Sequence, residues 1–176
     1  NAGQIFTNAG AARNYGLDSS LEFAATDHLA FSAGLGLLNA KYKDWPNAQG
    51  FTASGAAINL ANASGRTLPF SPPVTGFVAA HYRYPTASGE VKANVSINYN
   101  GHWYVSPTEL PELPAYTLLS AGLEWKSNAP RPFGLRLWGR NLTNEYYAPG
   151  VTVSSGGWYG AYSAPRTFGI TLMKDF

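Results

Sequence analysis

Phe168-Gly169-Ile170-Thr171-Leu172-Met173-Lys174-Asp175-Phe176, the last nine residues, alternate an oily row (Phe168, Ile170, Leu172) with a row of smaller or more polar residues and stop on an aromatic side chain. Period-two alternation puts successive side chains on opposite faces of a strand. A final ring at the end of such a strand suits the girdle of aromatic residues at a membrane–water interface.

Composition decides what kind of strand protein this is. Charged residues are only 12% of the chain, aromatics are 14%, and glycine occurs 19 times in 176 residues. An ordinary soluble domain carries about 25% charged residues. No apolar run approaches the ~20 residues that a membrane helix needs, so helical spanning is excluded and strand spanning is not. Twelve basic residues against 10 acidic ones, with no basic run, give no reason to expect a nucleic-acid partner. The absence of cysteine excludes disulfides and thiolate chemistry. Asn1-Ala2-Gly3-Gln4 carries no signal-peptide pattern, and the expectation is a mature product or the C-terminal piece of something longer.

Between clusters of Gly, Pro, Asn and Ser the alternation recurs about seven times. Ala11 to Ala24 sets Tyr15, Leu17, Leu21 and Phe23 against Asn14, Gly16, Asp18, Ser20 and Glu22. A second strand runs from Leu29 towards Trp45, and a third from Val74 to Tyr84. The fourth is the sharpest, with Val91, Ala93, Val95, Ile97 and Tyr99 opposing Lys92, Asn94, Ser96, Asn98 and Asn100. A fifth sets Leu119, Ala121, Leu123 and Trp125 against Ser120, Gly122, Glu124 and Lys126; the sixth carries Leu135 and Leu137 against Arg136, Trp138 and Arg140; the seventh is the terminal strand. Connections alternate short and long, as in outer-membrane barrels with short periplasmic turns and long extracellular loops. Phe23, Phe31, Tyr84, Trp125, Phe133 and Phe176 fall beside the short turns, the level of an interfacial girdle.

The expected fold is therefore all-β, an antiparallel transmembrane barrel segment. The opposing expectation is a soluble, secreted β-sandwich that binds carbohydrate through aromatic loops. On the barrel reading Asp18, Glu22, Lys92, Asn94, Asn98, Glu124, Arg136 and Arg140 line the lumen.

Four motifs in order resemble the TonB-dependent receptors of Gram-negative outer membranes. They are Asn8-Ala9-Gly10 leading to Gly16-Leu17-Asp18 and Glu22; Gly65-Arg66-Thr67-Leu68-Pro69-Phe70-Ser71-Pro72; Trp138-Gly139-Arg140-Asn141-Leu142-Thr143-Asn144-Glu145-Tyr146-Tyr147; and Pro165-Arg166-Thr167-Phe168-Gly169. Asp18 stands where the family usually has Glu. The resemblance implies the C-terminal third, residues 1–176, of a receptor barrel of about 22 strands with a plugged lumen, active in uptake of a siderophore, hence iron, or another nutrient. It further implies contact with TonB only through a plug absent here, outer-membrane lipid around the wall, and Phe176 as part of the signal read by the barrel-assembly machinery. About seven strands fall below the smallest closed barrel of eight. The expectation is a missing N-terminal set of strands or another copy of the chain to pair the edges.

His28, His81 and His102 are isolated, so no metal or other cofactor is expected. No enzyme activity is expected either; a membrane lipase would have to use His102 with Ser106. The ligand expectation rests on Trp158, Tyr159 and Tyr162 in the last long loop, with His102 and Tyr104 in the one before it, flat rings with polar edges suited to a ring-bearing nutrient. The alternative is that these rings only pack the loop.

Overall fold

A computed structural model describes residues 10–130, 132–154 and 157–174. The strands are β1 (Ala11–Ala24), β2 (Leu29–Asp44), β3 (Pro46–Phe51), β4 (Ala57–Asn62), β5 (Val74–Thr86), β6 (Gly89–Asn100), β7 (Trp103–Tyr104), β8 (Glu112–Leu113), β9 (Tyr116–Ser127), β10 (Phe133–Arg140), β11 (Val151–Ser154), β12 (Gly157–Gly160) and β13 (Thr167–Lys174). No helix occurs among the described residues. Seven of the strands form one antiparallel sheet in the order β1-β2-β5-β6-β9-β10-β13. These are the seven that the alternation marks. Phe176, Asn8 and Ala9 lie outside the described residues.

Register turns separate alternations into continuous surfaces. Leu21, Ala33, Val78, Ile97 and Leu119 stand opposite one another across five strands. Ala93, Leu123, Leu137 and Ile170 continue the same face to β13. That face is uncovered: Phe168 is 79% and Leu172 80% exposed. Among the described apolar side chains, full burial is confined to small ones such as Ala40, Ala48 and Ala79, with Trp103 and Leu113 on the short β7-β8 hairpin. A single layer whose one face is oily apart from Ser19 and, near the strand ends, polar residues such as Arg13, Lys41 and Lys174 has no second layer to hide it, so it needs an apolar medium.

At the short-turn end the oily face carries rings. His28 meets Tyr84 edge-on with centroids 5.3 Å apart, and Trp125 meets Phe133 at 5.2 Å. Phe23 and Phe31 face each other across β1 and β2 at the same end. Of the expected girdle, Phe23, Phe31, Tyr84, Trp125 and Phe133 are there, joined by Tyr82, while Phe176 is outside the described residues.

The opposite face carries Glu22-Ser32-Ala79-Ser96-Ser120 in one row and Arg83-Lys92-Glu124-Arg136-Thr171 in another. Glycine is needed here where rings lie flat on the strand. A Cβ on Gly34 would run into the Phe77 ring, and one on Gly169 would sit 2.6 Å from Cζ2 of Trp138. The sheet is not closed: β1 and β13 are its edges.

Candidate functional site

The three long connections leave the same end of the sheet, and each contains a small hairpin that the sequence reading leaves as loop: β3-β4, β7-β8 and β11-β12. The first two loops are fastened together. Arg66 Nη1 donates to the Thr108 carbonyl (2.9 Å), the Thr67 amide donates to Glu109 Oε1 (2.9 Å), and Thr108 Oγ1 donates to the Phe51 carbonyl (2.7 Å). Phe70 and Glu109 at this junction both take left-handed backbone, with φ of 58° and 59°. For a phenylalanine that conformation costs about 1–2 kcal/mol. The Phe70 amide bond to the Tyr104 carbonyl (2.9 Å) and the contact of its ring with Trp103 (5.1 Å) offset the cost.

Trp158 fastens the third loop to the first. Its Nε1 donates to the Thr52 carbonyl (3.1 Å), and its ring meets Phe51 edge-on at 5.7 Å. Gly55 and Gly157 meet so closely that a Cβ on Gly55 would lie 2.6 Å from Gly157 Cα. Trp158 therefore has a packing role. We expect Trp158→Phe, which keeps a ring and removes the donor, to cost about 1 kcal/mol locally. That would speed hydrogen exchange at the Thr52 and Ala56 amides about fivefold; unchanged exchange would show that the indole bond does not hold the hairpins together.

Tyr162, by contrast, lies open. It stacks on Tyr146 with centroids 4.0 Å apart, and the two rings remain 60% and 71% exposed. Tyr159 on β12 is also exposed. His102 and Tyr104 meet edge-on at 5.9 Å and line a recess of about 160 Å³ with Lys41, Thr67 and Ser71. Burial first, then the carboxylates of Glu112 and Glu109, raise the Tyr104 pKa above its ordinary value, so the phenol stays a hydrogen-bond donor. Ser106 is buried and shares hydrogen bonds with Thr108 Oγ1 (2.5 Å) and the Leu110 carbonyl (2.8 Å), a structural position.

Below the loops, on the polar face, a recess of about 430 Å³ is lined by Asp18, Ser20, Gly36, Thr75, Asn98, Asn100 and Tyr116. Tyr147 stacks on Tyr116 at 4.0 Å. Tyr116, Tyr146 and Tyr147 are absent from the sequence-based ligand set, although the Tyr146-Tyr147 pair, two residues beyond Asn141-Leu142-Thr143, was a usable signal. Asp18, Glu22, Lys92, Asn94, Asn98, Glu124, Arg136 and Arg140 all share the polar face. No group of three or more metal-binding side chains occurs among the described residues.

The Asn-Leu-Thr motif has a mechanical role. Asn141, at φ 50°, donates from Nδ2 to the carbonyls of Glu145 (2.9 Å) and Ala164 (3.2 Å) and accepts at Oδ1 from the Glu145 amide (2.8 Å). Asn144 Oδ1 accepts from the Arg166 amide (3.0 Å). The two motifs flanking the third loop are thus bonded to each other.

Comparison with known proteins agrees with this geometry. Residues 1–142 match the family described as TonB dependent receptor-like, beta-barrel. Among solved structures, the ferric yersiniabactin uptake receptor of Yersinia pestis is similar with a TM-score of 0.76 at 17% identity, over 96% of this chain and 24% of that one. The ferric preacinetobactin receptor of Acinetobacter baumannii gives 0.70 at 23% identity, over 94% of this chain and 22% of that one. A siderophore receptor of Acinetobacter baumannii gives 0.70 at 17% identity, over 93% and 22%. The chain thus spans about a quarter of the length of these structures. Barrels of the family are Gram-negative outer-membrane proteins, and its members are receptors and not enzymes. A seven-stranded sheet with an oily face, a girdle at its short-turn end and long loops at the other is what a wall segment of such a barrel requires, and the chain belongs to the TonB-dependent receptor β-barrel family.

Proposed function

We propose that the chain is the C-terminal portion of a TonB-dependent outer-membrane receptor and forms part of the wall and extracellular mouth through which a ferric siderophore or a similar ring-bearing nutrient is taken up. The observation that carries this reading is the pair of exposed, stacked tyrosines, Tyr146 and Tyr162, at the long-loop end of a sheet whose other face is polar. The names of the similar receptors, all siderophore receptors, support the ligand class.

On this reading Tyr146, Tyr159 and Tyr162 meet the ligand first. His102 and Tyr104 flank its path, and Asp18, Glu22, Lys92, Asn94, Asn98, Glu124, Arg136 and Arg140 line the lumen. The remaining strands of the parent pair with β1 and β13, and its plug fills the lumen and is the part that engages TonB. Phe176 serves the barrel-assembly machinery.

The test is a titration of the parent receptor with ferric complexes of phenolate and catecholate siderophores. Stacking on one such ring is worth about 0.5–1.5 kcal/mol. Tyr146→Ala with Tyr162→Ala should therefore raise Kd about tenfold. Unchanged affinity for every complex that the unaltered receptor binds would sink this assignment of the mouth.

A further inference from the structure

Two cations stand side by side on the lipid-facing side of the sheet. Arg13 of β1 pairs with Lys41 of β2, and the alternation along each strand puts both on the face that carries Leu17, Leu37, Leu21 and Ala33. Both are exposed. Each lies ten positions along its strand from the girdle pair Phe23 and Phe31. Ten residues rise about 33 Å along a strand and about 25 Å along the normal of a barrel with the usual tilt, the full height of an apolar band. Arg13 and Lys41 therefore sit where hydrocarbon gives way to headgroups at the long-loop end. Ten positions from the girdle level, the other five strands of the sheet lead to Val74, Gly101, Ala115, Thr143 and Ala164, none of them charged. The cations are thus a local feature of β1 and β2.

Neither cation forms an ion pair with a described residue. Asp44 is two pairs nearer the loops and is accompanied by Lys43, which the register skips, while Glu109 accepts from the Thr67 amide. Residues 1–9 include no acid. Like charges directly opposite each other across two strands repel, so an anion between them stabilises the pair. The Arg13 guanidinium lies over the Tyr15 ring, 5.1 Å from its centroid, which holds it at this height. Its fork of N–H donors matches the oxygens of a phosphate, and the Lys41 ammonium adds a point charge beside it. Thr67 flanks Lys41 on its other side and supplies a hydroxyl, and Asn39, opposite Tyr15, supplies an amide.

We propose that Arg13 and Lys41, with Thr67 and Asn39 beside them, form a binding site for the phosphate of a lipid headgroup in the outer leaflet. Position selects the lipid over a dissolved phosphate ion. Towards mid-membrane the same face continues through Tyr15 to Leu17 and Leu37, which meet the acyl chains of a lipid whose headgroup is held here. The site belongs to the outside of the wall and is independent of what the mouth of the receptor binds.

The test is a titration of the delipidated full-length receptor, in non-ionic detergent, with phosphatidic acid carrying a fluorescent acyl chain. Arg13→Gln with Lys41→Gln should raise its Kd about thirtyfold, the effect of losing two cations at a membrane surface. Diacylglycerol with the same chains, which lacks only the phosphate, should bind the unaltered receptor no more tightly than it binds the double variant. Inorganic phosphate at the same concentration as the lipid should not displace it. Should the double variant fail to assemble, each single substitution takes its place, with a rise of about fivefold expected. No binding of phosphatidic acid, a Kd that the substitutions leave unchanged, or equal binding of phosphatidic acid and diacylglycerol overturns the proposal. Displacement by inorganic phosphate identifies a site for the dissolved ion and overturns the lipid assignment.

Discussion

Ile97→Arg is expected to destabilise the folded parent receptor by about 2–4 kcal/mol, the cost of a cation on the lipid side near mid-bilayer. Ile97 lies between Val78 and Leu119 in the oily row, six positions along β6 from Val91, which is level with the girdle residue Trp125. Six residues rise about 20 Å along a strand and about 15 Å along the normal of a barrel with its usual tilt. That is close to the middle of an apolar band of about 25 Å. Asn98→Arg, on the neighbouring residue and the other face, should stay within about 0.5–1 kcal/mol. Urea-dependent folding into lipid vesicles, followed by tryptophan fluorescence, measures both. Equal costs at the two positions would mean that Ile97 does not face hydrocarbon.

Asn141→Ala should loosen the third loop by about 2–4 kcal/mol. Asn141 is only 7% exposed, and its side chain makes three bonds to the backbone, each worth about 1 kcal/mol net. Alanine also inherits a φ of 50°, a left-handed conformation that costs a residue with a Cβ about 1 kcal/mol or more. Asn141→Gly removes that second penalty and keeps the first, so it should be milder than alanine by about 1 kcal/mol. Limited proteolysis between Glu145 and Ala164 in the membrane-inserted receptor, and hydrogen exchange at the Glu145 and Arg166 amides, report the loosening. If alanine leaves both unchanged, the motif does not hold the loop.

The wall was legible in the sequence because a strand facing lipid on one side and water on the other writes its geometry at period two. Val91 to Asn100 states the inside and outside of β6 residue by residue, and neighbouring strands repeat it. The loops obey no such rule. β3 (Pro-Asn-Ala-Gln-Gly-Phe) and β4 (Ala-Ile-Asn-Leu-Ala-Asn) are only six residues each, and the residues they fully bury are small, such as Ala48. Trp158 finds its acceptor at Thr52, 106 residues away. No local pattern encodes a partner at that distance, so the sequence left open whether this ring packs a loop or meets a ligand, and only the structure shows its bond to another loop. The row of Arg83, Lys92, Glu124 and Arg136 was equally hidden, because these side chains become level only when β5, β6, β9 and β10 are set in register.

The fastening of the loops also determines what a cell of another kind would see. Arg66, Thr108 and Trp158 bind three separate hairpins into one surface. An antibody covers about 800 Å² of its target, so its epitope here is assembled from chain segments distant in sequence. A synthetic peptide copied from any one loop lacks the other two, and as an immunogen it presents a shape that the intact bacterium does not display.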